Sequence, residues 1–112
     1  MSHGRYATRI AVTGQASVIS VHTDDSADGT LLDLSRKGAR LSTDHPFERG
    51  QKLALTLTLP WDEPPIEVLL AAVKWVRGNN IGIEFLDLED DEQVSLDVFI
   101  SSRPKVESRS PR

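Results

Sequence analysis

The chain has 112 residues, 38% of them hydrophobic, no cysteine, and a net charge of −4. That length fits one domain able to bury a core without a metal or disulfide, and the missing cysteines exclude disulfides and thiolate metal sites. Net negative charge argues against a general DNA or RNA binder. No apolar run reaches the roughly 20 residues of a membrane-spanning helix. Met1–Arg9 contains no hydrophobic stretch of the kind that forms a signal peptide, so a cytoplasmic protein is the simplest expectation.

The charge is unevenly distributed. No acid occurs between Met1 and Thr23, where Arg5 and Arg9 lie, and Arg36, Lys37 and Arg40 form a second basic cluster. Acids crowd between Asp87 and Asp97. An acidic chain with one local basic region suits a small anion better than a polymer.

Taken in order, residues 1–14 read as a flexible, polar N-terminal arm. Gln15–His22 alternates Val and Ile and reads as a strand, followed by an Asp, Ser and Gly turn over residues 24–29. Residues 30–34 form a second strand that runs into the polar turn Asp33–Gly38, and residues 39–42 form a short third strand. The clearest segment follows: Leu53, Leu55, Leu57 and Leu59 alternate with Ala54, Thr56 and Thr58. That is the period of two of a half-buried strand. Pro60–Pro65 ends it, with Trp61 placed to cover a barrel end.

Ile66–Arg77 is a long strand, in which simple alternation puts Trp75 on one face with Val73 and Arg77. Gly78-Asn79-Asn80 is a tight turn. Ile81, Ile83 and Phe85 alternate again. Leu96, Phe99 and Ile100 then recur at helical spacing behind the acids Asp90, Asp91 and Glu92, which favour a helix N-terminus. A helix is placed over residues 90–101. The folded unit is thus expected over residues 15–101, as a closed or nearly closed antiparallel barrel of six strands with a C-terminal helix. Residues 102–112, rich in Ser, Pro, Arg and Lys, read as a disordered basic tail.

Two motifs carry chemistry. Arg5-Tyr6-Ala7-Thr8-Arg9 is an Arg-x-x-x-Arg, and Asp33-Leu34-Ser35-Arg36-Lys37-Gly38 is an Asp-x-Ser-x-x-Gly. Alone, the first would be a solvated arm and the second a turn, with Asp and Ser capping amides and Gly38 in the left-handed conformation. Arginine, however, offers a planar fork that grips phosphate and also fits the O6 and N7 edge of guanine. Asp33 can accept from an N–H edge or orient an arginine, Ser35 offers a hydroxyl, and Gly38 lets a ligand approach the backbone. Trp75 is a candidate for stacking on a base. The histidines are scattered without metal-ligand spacing, and no nucleophile elbow, Walker loop or calcium loop is present. Catalysis has no visible residues to carry it, and no metal site or cofactor is expected.

In this order, ahead of alternating strands, the two motifs resemble the signature of the PilZ domain family. Ala72-Val73-Lys74-Trp75-Val76 and Ile81-Gly82-Ile83-Glu84-Phe85-Leu86 are similar to its last hairpin, so the likeness covers about residues 5–100. The resemblance implies an all-β, Greek-key-like six-stranded antiparallel barrel of the split-barrel type with a C-terminal helix. It also implies a non-enzymatic receptor for cyclic di-GMP whose site residues are Arg5, Arg9, Asp33, Ser35 and Gly38, to which the strand reading adds Trp75 as the stacking candidate. Such a receptor would change arm conformation on binding and signal to a downstream protein partner. Where many members carry a second glycine, this chain has Lys37. Some members lack the arginine pair and act as protein adaptors that bind no nucleotide, which is the alternative reading.

Overall fold

The computed structural model describes residues 9–23, 25–60 and 63–102. Of the expected arm, residues 1–8, and with them Arg5, lie outside the described residues, as do Trp61 and the tail from residue 103 on.

Six strands and one helix make up the described chain: β1 (Arg9–Ser20), β2 (Ser26–Ser35), β3 (Gly38–Ser42), β4 (Lys52–Thr58), β5 (Ile66–Arg77), β6 (Asn80–Asp87) and α1 (Asp90–Ser101). The strands close into an antiparallel barrel in the order β1-β2-β3-β6-β5-β4. Closure leaves no open sheet edge. Inside it lie the alternating apolar residues of every strand, including Val18, Leu31, Leu41, Leu53, Leu57 and Ile81.

Two boundaries differ from the sequence expectation. The first strand begins at Arg9 and not at Gln15. Ile10 and Val12 already alternate into the core at 1% and 4% exposure, so residues 9–14 belong to the barrel and not to an arm. The second strand begins at Ser26, inside the segment read as a turn. There the β1–β2 ladder pairs Ile19 with Ser26 and Ala16 with Gly29. Backbone pairing overrides the turn preference of Asp28 and Gly29. The helix and the Gly78-Asn79 turn fall where expected, and Gly78 takes φ +60°.

Four of the ladders contain breaks in register, and three of these breaks decide which side chains face outward. In β2, Leu31 pairs with Leu41 but Asp33 pairs with Arg40, so Leu32 is an extra residue. Leu31 and Leu34 both face the core, three positions apart, and Asp33 between them is turned to the outer face. In β5, Val73 pairs with Ile83 and Trp75 with Gly82, so Lys74 is the extra residue. The connection from β3 to β4 anchors this second bulge: Gly50 N–H donates to Val73 O at 2.7 Å and Val73 N–H donates to Gln51 O at 3.0 Å. The third break, between Leu53 and Leu55 against β5, likewise lets Val68 and Ala71 both face inward.

α1 packs against β5, and its Leu96, Phe99 and Ile100 join the barrel core. Its acidic first turn compensates the helix dipole, and the Glu92 carboxylate accepts from Glu67 N–H at 2.9 Å, tying the helix to the start of β5. The helix is therefore part of the fold and not an appendage. Phe99 is 2% exposed, so Phe99→Ala should lower unfolding free energy by about 3–5 kcal/mol in a denaturant titration. A loss under about 1 kcal/mol would mean that the helix is only loosely attached.

Candidate functional site

Four residues on adjacent strands stand in one row across the outer face. Asp33 of β2 pairs with Arg40 of β3, Arg40 with Gly82 of β6, and Gly82 with Trp75 of β5. Neighbouring strands lie about 4.8 Å apart, so the row spans about 14 Å. A cleft of about 390 Å³ opens over it, lined among others by Arg9, Ser35, Lys37, Gly38, Arg40 and Trp75.

Asp33 lies under the edge of this cleft at 8% exposure. Arg9 Nη1 donates to its Oδ1 at 3.0 Å, and Arg40 Nε forms an ion pair with Oδ2 at 3.3 Å. One buried carboxylate therefore orients two guanidinium groups, one from each flanking strand. Of the two roles open to Asp33, the observed contacts are those of an arginine-orienting residue. Buried carboxylates are tolerated only when paired in this way.

Ser35 and Gly38 shape the β2–β3 turn. The Ser35 hydroxyl donates to Gly38 O at 3.2 Å and accepts from Lys37 N–H and Gly38 N–H at 3.2 and 3.1 Å. It is buried, so its contacts brace the turn from within. Gly38 is not in the left-handed conformation, which among the described glycines belongs to Gly50 and Gly78. Its need for no side chain has another cause. A Cβ there would come within 2.1 Å of Ile83 O, so any larger residue would pry β3 from β6.

Trp75 does not share a face with Val73. The bulge at Lys74 leaves Val73 in the core and turns the indole outward. It does share the outer face with Arg77, whose guanidinium carbon lies 5.1 Å from the ring centroid. The indole rests over Gly82, where a Cβ would fall 2.2 Å from Trp75 Nε1. Lys74 and Glu84 pair at 3.3 Å on the same rim.

The structure thus brings Arg9, Ser35, Gly38 and Trp75 to one cleft, with Asp33 beneath it. Sequence reading placed Arg40 in a basic cluster but not in the site. The signal was available: a two-residue turn at Arg36-Lys37 sets Asp33 opposite Arg40. Beside the cleft, Arg36 points the other way and pairs with Asp97 of α1 at 3.1 Å. Among the described residues no group of His, Asp and Glu side chains comes together that could hold a metal ion, and no helix is long and apolar enough to cross a membrane.

The chain is thus a small closed six-strand β-barrel domain with one C-terminal helix and a basic cleft on its outer face. A model of the PilZ domain matches residues 3–102, so the chain belongs to the PilZ domain family, whose members are receptor and adaptor domains. Solved structures agree on the fold. The inhibitor of motility (MotI/DgrA) of Bacillus subtilis superposes with a TM-score of 0.75 at 16% identity, covering 90% of this chain and 51% of that one. The present chain therefore spans about half the length of that protein. The PilZ domain of YcgR from Escherichia coli, solved with c-di-GMP, gives 0.70 at 16% identity, covering 89% and 91%. The PilZ domain of CeSA from a cellulose-synthesizing bacterium gives 0.65 at 18%, covering 89% and 96%. No curated protein matches the chain.

The packing of Trp75 on Gly82 is open to test. Gly82→Ala should displace the indole and shift its side-chain N–H resonance, most cleanly in a Trp61→Phe background, while the backbone spectrum of the barrel is kept. An unmoved Trp75 resonance would contradict the packing described.

Proposed function

We propose that this PilZ domain is a non-enzymatic, cytoplasmic receptor for cyclic di-GMP that passes the signal to a partner protein. The observation that carries the reading is the paired orientation of arginines beside a half-buried indole on the outer face. Arg9 and Arg40 are held by one carboxylate at 3.0 and 3.3 Å, and Trp75 stands at the other end of the same row. A cyclic dinucleotide presents two phosphates and two guanine bases. Guanidinium forks match both the phosphates and the acceptor edge of guanine, and an indole offers a stacking plane.

In this reading Arg9 binds from the barrel wall, and Arg5, four positions earlier, closes over the ligand from the preceding segment. Ser35 and Gly38 keep the turn shaped for close approach, and Lys37 adds positive charge at the lip. A base that stacks on Trp75 competes with Arg77 for the ring. Ordering of residues 1–8 around the ligand would create a new surface for the partner. The cost, about 1–2 kcal/mol per residue fixed, is met only when charge-assisted bonds form. The YcgR domain, solved with c-di-GMP, supports the reading as a relative of like fold. The competing reading is a PilZ adaptor that binds only protein.

Calorimetry separates the two. Cyclic di-GMP should bind with micromolar affinity or better, about 8 kcal/mol, and raise the melting temperature. Arg9→Lys keeps the charge but loses the fork, and should weaken binding about tenfold. Neither heat nor a thermal shift at millimolar ligand would leave the adaptor reading standing. Wild-type affinity in Arg9→Lys would reduce Arg9 to long-range electrostatics.

A further inference from the structure

The Asp33 carboxylate holds two guanidinium groups, and only one of them belongs to the arginine pair. Arg40 reaches Asp33 through Nε. Among the described residues its two terminal nitrogens have no partner. The side chain is 44% exposed and borders the cleft. Its neighbour in the row, Gly82, has no side chain, and the Trp75 indole lies over it, on the same outer face as Arg40.

We infer that Arg40 is a third ligand-contacting arginine, which presents its terminal N–H groups to an acceptor edge of the bound nucleotide. The inference rests on the cyclic di-GMP reading above. An arginine whose only role was to neutralise Asp33 would need no open face on the cleft, since Arg9 already pairs with that carboxylate. Pairing Nε with a buried carboxylate restricts the guanidinium and leaves the other edge free. That pre-orientation lowers the entropy lost when the free edge binds. The edge takes either two phosphate oxygens or guanine O6 and N7, which share the same two-acceptor geometry.

The test is calorimetry with cyclic di-GMP on the full chain and on Arg40→Ala, Arg40→Lys, Asp33→Asn and the Asp33→Asn/Arg40→Ala pair. Thermal melts report whether each variant is folded. Arg40→Ala should weaken binding about tenfold, and Arg40→Lys, which keeps the charge and the ion pair, should still weaken it about fivefold. The loss on Arg40→Ala should persist when Asp33 is already Asn, because the contact is made by Arg40 itself. A loss that disappears in the Asp33→Asn background would make Arg40 a support for Asp33 and overturn the inference. So would binding by Arg40→Ala equal to wild type. Failure of wild type to bind would remove the receptor reading itself, and this inference with it. Cyclic di-AMP identifies the edge engaged: a narrowed preference for the guanine ligand in Arg40→Ala marks the base, and an equal loss on both ligands marks the phosphate.

Discussion

The outer face of this barrel is organised by one buried carboxylate. Asp33 sits between two core leucines, Leu31 and Leu34, on a strand whose regular alternation would place it inside with Leu31. The bulge at Leu32 turns it out, and Arg9 and Arg40 close over it from the strands on either side. Neither step works without the other. An unpaired carboxylate at 8% exposure would be costly, and two unanchored arginines would sample many rotamers. Together they make a wall of oriented donors at the edge of a cleft.

The second bulge does the same for the opposite wall. Lys74 is the extra residue that turns Trp75 outward, and Gly82 is the missing side chain that lets the indole lie down on the sheet. Both bulges lie in a closed barrel, where every strand is held on both sides, so the aim of each side chain is fixed by the frame. The β2–β3 turn links that frame to the helix. Ser35 and Gly38 face inward to brace the turn, while Arg36 reaches Asp97 on α1. A ligand seated against the turn would thus press on a segment that also touches the last helix, whose Val94 and Val98 are exposed.

Much of this was legible in the sequence, and the parts that were not share a cause. Period two in Leu53–Leu59 and period 3.6 in Leu96, Phe99 and Ile100 gave the strand and helix directly, because each has one apolar face to bury. The start of β1 was missed because Arg9 and Gly14 drew the stretch towards a polar arm, although Ile10 and Val12 already alternate. The face of Trp75 and the partnership of Arg40 were missed for a different reason. Both depend on register across strands, and a single inserted residue reverses every side chain beyond it. Likewise Gly38 read as a turn glycine, when the reason for it is the carbonyl of Ile83 on β6, three strands on in sequence order.

The most direct measurement is an amide and side-chain NMR titration of the isotope-labelled protein with cyclic di-GMP. The expected result is a compact set of shifts over Arg9, the Ser35–Gly38 turn, Arg40, Gly82 and the Trp75 indole, with the Arg9 Nη–H and Arg40 Nε–H signals still in slow exchange as their ion pairs to Asp33 persist. Shifts confined to α1 or to the β1–β4 side of the barrel, with that row silent, would contradict the account.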